Sequence, residues 1–439
     1  MKAEFDSLLA KNTWTLVPCT PDLNVISNKW VFRIKHKVDG SVDKFKARLV
    51  ARGFEQTAGV DFHETFSPVI KPCTIRLIFT LAVTNQWSIQ QIDVNNAFLN
   101  GDLKQTSSGV QLFILIYVDD ILLTGNDAQK ISEVIHLLNQ QFALKTLGEV
   151  NYFLGLEAHR SAAGLLLSQT KYIHDLLSHT HMLGCKPSPT PIATGQKLSL
   201  LDSKLFDHPS LYRSVIGTLQ YLTLTRPDIA FTVNKLSQFL HQPTVNHWAV
   251  CKHLLRYLKG TMNLGVMFRP AKRMLLEAYS DADWASSLDD RKSTGGHFVL
   301  LGGNLLLWSA KKQGVVSRSS AESEYRSLAD TTADLVWLQS LLKELDIKIE
   351  QSSLLWCDNM SAVAMASNPV FHARTKHIEI DIHFVRDKVL SKAIDIRYIP
   401  SEDQPADLFT KPLSSHRFQL LCAKLPLSSS VKNVSSAVT

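Results

Sequence analysis

The sequence predicts a multidomain protein that combines α+β and α/β architecture. Three observations predict it. The 439 residues are 45% apolar and 20% charged, enough for two or three domains with their own cores and too apolar for a disordered chain. The first half breaks into short apolar or alternating runs separated by turn residues, the mark of strands and hairpins. The last third reads in the order βββαβαβα, a mixed sheet flanked by helices.

Composition also excludes classes of function. The longest strictly apolar run, Leu112 to Val118, is far short of the roughly 20 residues that span a bilayer. The opening residues Met1 to Asp6 lack the apolar core of a signal peptide. A cytoplasmic or nuclear protein with no membrane partner and no secretion is expected. Six cysteines, the closest pair 54 residues apart, form no CxxC zinc or redox pattern and read as reduced thiols. The net charge of +7 permits a nucleic-acid partner.

The elements follow in order. Trp30 to Lys35 alternates as a half-buried strand, Asp39-Gly40 supplies a hairpin turn, and Lys44 to Val50 returns. Lys29 to Arg52 carries eight cations against two acids, interleaved with Trp30, Phe32 and Phe45. Such a ribbon suits phosphates and base stacking; a solvated edge hairpin with gatekeeper lysines reads equally from these residues. Ser88 to Val94 is a strand holding Asp93 near its end. Val110 to Val118 is an apolar strand running into Asp119-Asp120, then Ile121-Leu122-Leu123. Two adjacent carboxylates between apolar strands call for a cation, because like charges repel there. They read as a divalent-metal site for phosphoryl transfer with Asp93 as third ligand, or as an exposed polar turn.

A hairpin with Gly164 at its turn comes next. Cys185 to Leu198, with Pro187, Pro189 and Pro191, is expected to be a stiff linker outside the core. Pro227 opens a helix striped by Ile229, Val233, Leu236 and Leu240. The next helix buries Cys251, Leu255 and Leu258, and lines Lys252, Arg256 and Lys259 along another face. That face can follow a phosphate backbone or simply be solvated.

In the last third, Met274 to Tyr279 is a strand leading to Asp281. His297 to Leu301 and Leu305 to Ser309 form a hairpin, and Ser319 to Leu345 is a long helix. Leu354 to Cys357 leads to Asp358, and a last short helix carries Asp407. Ser319-Ser320-Ala321-Glu322 fits a capping box, so Glu322 has a local role and Glu324 is the better ligand candidate. Asp281, Glu324, Asp358 and Asp407 thus fall at element ends, the carboxylate supply that two divalent cations about 4 Å apart require; the structural alternatives are Asp358 as a cap of the helix near Ser361 and Asp407 as a surface acid near a helix start. Residues 414–439 are polar and expected to be disordered.

Several motifs resemble the Pol polyprotein of Ty1/copia-type long-terminal-repeat retrotransposons, of the kind abundant in plants. They are Lys46-Ala47-Arg48-Leu49-Val50-Ala51-Arg52-Gly53-Phe54, Asp93-Val94-Asn95-Asn96-Ala97-Phe98-Leu99, Tyr117-Val118-Asp119-Asp120, Tyr152-Phe153-Leu154-Gly155-Leu156, Ser280-Asp281-Ala282-Asp283-Trp284-Ala285 and Ser320-Ala321-Glu322-Ser323-Glu324-Tyr325. The resemblance runs from about Lys11 to Leu413. It implies a reverse transcriptase fingers/palm remnant over 1–180, a linker and helical thumb/connection region over 181–270, a ribonuclease H-like domain over 271–413, and a tail over 414–439. It implies that Asp93, Asp119 and Asp120 bind the polymerase metals, that Lys35 and Arg48 touch the incoming nucleotide, and that Asp281, Glu324, Asp358 and Asp407 bind the ribonuclease metals. The cofactor implied is Mg²⁺, two ions per site, with Mn²⁺ as a substitute. The partners implied are an RNA–DNA hybrid and single-stranded nucleic acid.

Two departures qualify these expectations. Only residues 94–118 separate Asp93 from Asp119, where family members carry a considerably longer stretch that positions nucleotide and template. A connector of 16 residues reaches about 53 Å extended, so the three aspartates can still meet. The positioning helix has no sequence to come from, and catalysis depends on placement to about 1 Å. Polymerisation is therefore expected to be lost or severely reduced. The loop Pro400 to Gln404 also lacks the histidine that many cellular ribonucleases H carry, so slow turnover is expected. The alternative to an active ribonuclease is an inactive nucleic-acid-binding remnant or the product of a decaying reading frame.

Overall fold

The computed structural model describes every residue except 11–16, 19–24, 37–40, 53–54, 57–70, 95–108, 118–119, 142–143, 350, 368–377 and 430–439. The chain divides into two compact units, Met1–Val69 and Ile70–Thr439.

The first unit holds helix α1 (Lys2–Ala10) and the antiparallel hairpin of β1 (Asn28–His36) and β2 (Val42–Ala51). Its register sets Val31 opposite Arg48, Arg33 opposite Lys46 and Lys35 opposite Lys44. Strand alternation puts these positions on one face and Trp30, Phe32 and Ile34 on the other. The expected half-buried strand is more open than its pattern suggested: Phe32 is 66% and Phe45 77% exposed.

The second unit begins with α2 (Pro72–Thr84), whose apolar residues are buried almost throughout. A four-stranded sheet follows, from β3 (Ile89–Val94), β4 (Leu112–Tyr117), β5 (Asp120–Gly125) and, after helix α3 (Ala128–Gln141), β6 (Leu144–Glu149). Its order is β4-β5-β3-β6. Next come β7 (Tyr152–Phe153), β8 (Leu156–Ser161), β9 (Gly164–Ser168) and α4 (Thr170–His179). Gly164 turns the β8–β9 hairpin at φ +133°, and a Cβ there would lie 1.9 Å from the Phe268 carbonyl oxygen, so only glycine fits. Helices α5 (Pro209–Leu222), α6 (Ala230–Ser237) and α7 (Val245–Gly260) and strand β10 (Leu264–Phe268) complete the middle. Pro227 opens the short 3₁₀ turn that leads into α6, and Ile229, Val233 and Leu236 are buried as the stripe predicted.

The expected linker Cys185 to Leu198 is corrected here. It forms no helix or strand, yet Ile192 and Leu198 are buried in the hydrophobic core. Its Ser188 amide donates to the Arg256 carbonyl of α7 at 3.2 Å, and His253 Nε2 lies 3.0 Å from the Thr190 carbonyl. Proline removes amide donors and regular structure; it does not stop apolar neighbours from burying themselves on a helix.

The C-terminal sheet has the order β13-β12-β11-β14-β15, built from β11 (Leu276–Asp283), β12 (Thr294–Leu301), β13 (Asn304–Lys312), β14 (Ser353–Cys357) and β15 (Ile394–Tyr398). β13, β12 and β11 are antiparallel, whereas β11, β14 and β15 are parallel. Helices α8 (Ser320–Glu344), α9 (Met360–Ser367) and α10 (Glu379–Leu390) flank it. The order read from the sequence, βββαβαβα, is corrected in two places: two helices, α9 and α10, stand between β14 and β15, and Asp407 lies on a 3₁₀ turn rather than a helix. α2 joins the same core: the buried Arg76 guanidinium donates to the Leu306 and Leu224 carbonyls at 2.9 and 2.8 Å and lies over the Trp308 ring.

The tail expected to be disordered from residue 414 is also corrected. Helix α11 (Ser415–Cys422) buries Phe418 and Leu421, and β16 (Leu427–Ser429) pairs with β10. Serine-rich composition hid three apolar anchors, Phe418, Leu421 and Leu425, which are 5%, 1% and 4% exposed. Residues 430–439 lie outside the described residues.

Candidate active site

Four acids from four elements meet at the C-terminal sheet. Asp281 comes from β11, Glu324 from the first turns of α8, Asp358 from the end of β14, and Asp407 from the 3₁₀ turn Pro405–Phe409. Carboxylate oxygens of Asp281, Asp358 and Asp407 lie within 4.8 Å of one another, as do ligand atoms of Glu324, Cys357 and Asp358. The site is mostly dry, with Asp281 1%, Asp407 2% and Glu324 7% exposed.

Local chemistry puts each acid in place. Ser319 caps α8 by accepting from the Glu322 amide, and Glu322 Oε2 accepts from the Arg318 amide at 2.8 Å. Glu322 is therefore engaged by the helix start, as the capping pattern predicted, and by its ion pair with Arg326, while Glu324 lies beside Cys357 and Asp358. Gln404 ties the Asp407 turn to the sheet: its Nε2 donates to the Ser280 carbonyl at 3.0 Å and its Oε1 accepts from the Ala406 amide. The Ser401 hydroxyl donates to Asp358 Oδ2 at 2.7 Å, and the Thr410 hydroxyl donates to Asp281 Oδ2.

Electrostatics follow from burial. Burial, reinforced by the Asp281 and Asp358 carboxylates, pushes the Glu324 carboxyl well above its usual range. Its Oε2 is buried and meets no hydrogen-bond partner among the described residues. Burial and Asp281 also raise Asp407, against the pull of Lys411 and Arg417. Lys411 Nζ stands 2.7 Å from Asp407 Oδ1 and 3.4 Å from Asp281 Oδ2, and Arg417 donates to Asp407 Oδ2 at 2.6 Å. Burial also keeps the Cys357 thiol protonated, its pKa well above the ordinary value. The donor set is thus carboxylate oxygen, which suits a hard cation such as Mg²⁺ rather than zinc. The orphaned Glu324 oxygen fits a ligand waiting for such an ion.

Sequence reasoning missed Lys411, Arg417, Thr410, Gln404 and Gly296. Gly296 faces Asp281 across β12, and its lack of a side chain lets the Asp407 turn lie on the sheet. A lysine four residues after Asp407 was a visible signal; the contacts of Gln404 with Ser280, Thr410 with Asp281 and Gly296 with the Asp407 turn cross more than a hundred residues.

The second acidic group is only partly described. Asp93 and Asp120 stand directly opposite each other on β3 and β5, and Lys145 of β6 pairs with Asp93 from the other side. Asp119 lies outside the described residues, as do the connector 95–108 and the Lys35 side chain. Arg48 is exposed. On α7, Lys252 and Arg256 are exposed and Lys259 is half-buried, while Arg256 Nε donates to the Lys186 carbonyl at 2.8 Å. Among the described residues no helix is long and apolar enough to cross a membrane, and Cys73, Cys185, Cys251, Cys357 and Cys422 are free thiols.

Comparison with known proteins shows the family. A family model described as reverse transcriptase (RNA-dependent DNA polymerase) matches residues 11–111 and again 104–194, so the chain carries reverse-transcriptase sequence in two pieces that meet at 104–111. The retrovirus-related Pol polyprotein from transposon RE1 of Arabidopsis thaliana is 42% identical over 487 aligned positions, covering 97% of this chain and 33% of the relative. The putative transposon Ty5-1 protein YCL074W of Saccharomyces cerevisiae is 33% identical, covering 53% of this chain and 76% of that protein. The chain belongs to the retrovirus-related Pol proteins of copia-type retrotransposons. It spans about a third of the length of the Arabidopsis relative. The N-terminal RNase H domain of rv2228c from Mycobacterium tuberculosis, a solved structure, is 12% identical with a TM-score of 0.25 and covers 34% of this chain and 97% of that one; a likeness of that strength decides nothing about the fold.

Proposed function

We propose that the C-terminal part of this chain hydrolyses the RNA strand of RNA–DNA hybrids, and that its polymerase part is defective. The observation that carries the reading is the convergence of Asp281, Glu324, Asp358 and Asp407 with a buried Glu324 oxygen left unpaired. These residues would hold two Mg²⁺ ions, with Mn²⁺ as a substitute. When bound, such ions activate water and stabilise the charge that develops on a phosphodiester. The chain's own groups do the rest. Ser401, Thr410 and Gln404 orient the acids, and the closed surroundings strengthen every charge interaction. Recognition of the hybrid by its shape and 2′-hydroxyls is the expected mode.

The domains are 1–180, 181–270, 271–413 and 414–439 in this reading, with residues 414–429 packed rather than free. Asp93, Asp119 and Asp120 are the polymerase ligands. Lys35 and Arg48, and the α7 cations Lys252, Arg256 and Lys259, contact the hybrid or single-stranded nucleic acid. The cytoplasm or nucleus is the site of action. The two-piece family match at 104–111 supports a missing segment between Asp93 and the Asp119-Asp120 pair. The experiment is hybrid cleavage with Mg²⁺ by the purified chain and by Asp358→Asn. Cleavage by the wild type that disappears in the variant supports the reading. Cleavage that survives the substitution removes the ligand assignment, and ordinary primer extension on an RNA template removes the defective polymerase. A wild type that binds hybrid without cutting it establishes the inactive-remnant alternative.

A further inference from the structure

Two cations reach the acid cluster, and they are held differently. Arg417, on α11, takes Asp407 Oδ2 and is anchored by the Ser401 and Glu402 carbonyls as well. Among the described residues, the Lys411 ammonium is paired only with the acids. Its amide bonds back to the Asp407 carbonyl at 3.3 Å, which wraps the chain so that its side chain returns over the residue four positions earlier. Nζ then contacts Asp407 Oδ1 and Asp281 Oδ2. These carboxylates belong to the group, with Asp358, whose oxygens lie within 4.8 Å. The Lys411 side chain is still 38% exposed, so its stem has a path to solvent.

The geometry points to Lys411 as a removable counter-cation: its ammonium holds Asp281 and Asp407 together when no metal is bound and must leave for a divalent ion to take those oxygens. This rests on the metal reading above. The physical argument is one of space and charge. A Mg²⁺ ion binds oxygen at about 2.0–2.1 Å, and an ammonium touching the same two carboxylates would share its volume and repel it. Without the ammonium, buried carboxylates this close would repel one another and the site would open. Lys411 therefore does two opposed things. It stabilises the metal-free protein and weakens metal binding. An ammonium resident nine-tenths of the time raises the apparent Kd about tenfold. Arg417 uses the other Asp407 oxygen and stays.

The experiment uses the full chain and Mn²⁺ as the probe, with free Mn²⁺ followed by electron paramagnetic resonance and no nucleic acid present. Lys411→Met and Lys411→Gln are expected to bind Mn²⁺ about tenfold more tightly than wild type, to melt earlier in EDTA, and to gain more Tm on adding Mn²⁺. A second measurement needs no variant: acylation of Lys411 in the wild-type protein, read by mass spectrometry, should rise as Mn²⁺ saturates. Neutral variants with wild-type or weaker Mn²⁺ affinity overturn the proposal, as does Lys411 acylation that ignores Mn²⁺. Either result leaves the metal reading standing. That reading fails with the proposal only if the wild type binds no more Mn²⁺ than Asp358→Asn.

Discussion

Gly296→Ala tests whether packing at the sheet sets the chemistry. Gly296 lies in β12 opposite Asp281, and its backbone is ordinary strand, so alanine carries no torsional penalty there. The added Cβ would stand 2.6 Å from Phe409 Cβ, 2.7 Å from Thr410 Cγ2 and 2.9 Å from the Phe409 carbonyl carbon. Carbon atoms pack at about 3.5–4.0 Å, so the turn must retreat by about 1 Å. That turn carries Asp407, and Thr410 next to it donates to Asp281. Overpacking of this kind costs about 1–3 kcal/mol, which a protein of this size survives with a lowered Tm. A ligand displaced by about 1 Å costs about 100-fold in rate. The expected outcome is a folded variant that cleaves hybrid about 100-fold more slowly. The assay pairs single-turnover cleavage with thermal unfolding, both in Mg²⁺. A variant that cuts at the wild-type rate refutes the reasoning, because the turn would then have moved without consequence or not at all.

Three further outcomes follow from the packing. Arg226 and Asp228 form a fully buried ion pair at 2.7 Å, with Tyr257 donating to the same carboxylate; Arg226→Met strands that charge and should cost about 3–5 kcal/mol in urea unfolding. Truncation after Leu413 removes Phe418, Leu421 and Leu425 together with Arg417, and at about 1.5–3 kcal/mol per buried side chain it should lower stability by roughly 5 kcal/mol, whereas a disordered tail would change nothing. Burial holds the His247 imidazole below its ordinary value, against Asp202, while its Nδ1 accepts from the Thr244 amide in the α7 capping box. A depressed pKa means stability present above about pH 6.5 and lost as the pH falls, so the urea midpoint should drop from pH 7.5 to 5.5 more steeply in wild type than in His247→Gln.

The C-terminal sheet was largely legible because most of its signals are local. Periodicity placed β11 through β15 and α8, and the capping pattern at Ser319 gave Glu322 its role at the helix start. The two failures share a cause. The segment with Pro187, Pro189 and Pro191 and the serine-rich tail were read from composition, which reports backbone preference and solvation on average. Burial of Ile192, Leu198, Phe418 and Leu421 depends on what those side chains meet, and their partners lie far away in sequence. The basic hairpin shows the converse. Its two strands pair as a hairpin, yet alternation cannot say whether anything covers the apolar face.

By itself the sequence determined many of the C-terminal elements and the kinship with copia-type Pol proteins, and it singled out the four acids as candidates, because hydrophobic period, caps and motifs act over a few residues. Only the tertiary structure decided which groups share the acids' space. Lys411, Arg417, Thr410, Gln404 and the gap at Gly296 act on Asp281 and Asp407 through contacts under 4 Å. Most of those contacts link residues that stand many positions apart in the chain, and such distances exist only after the sheet has brought the strands together.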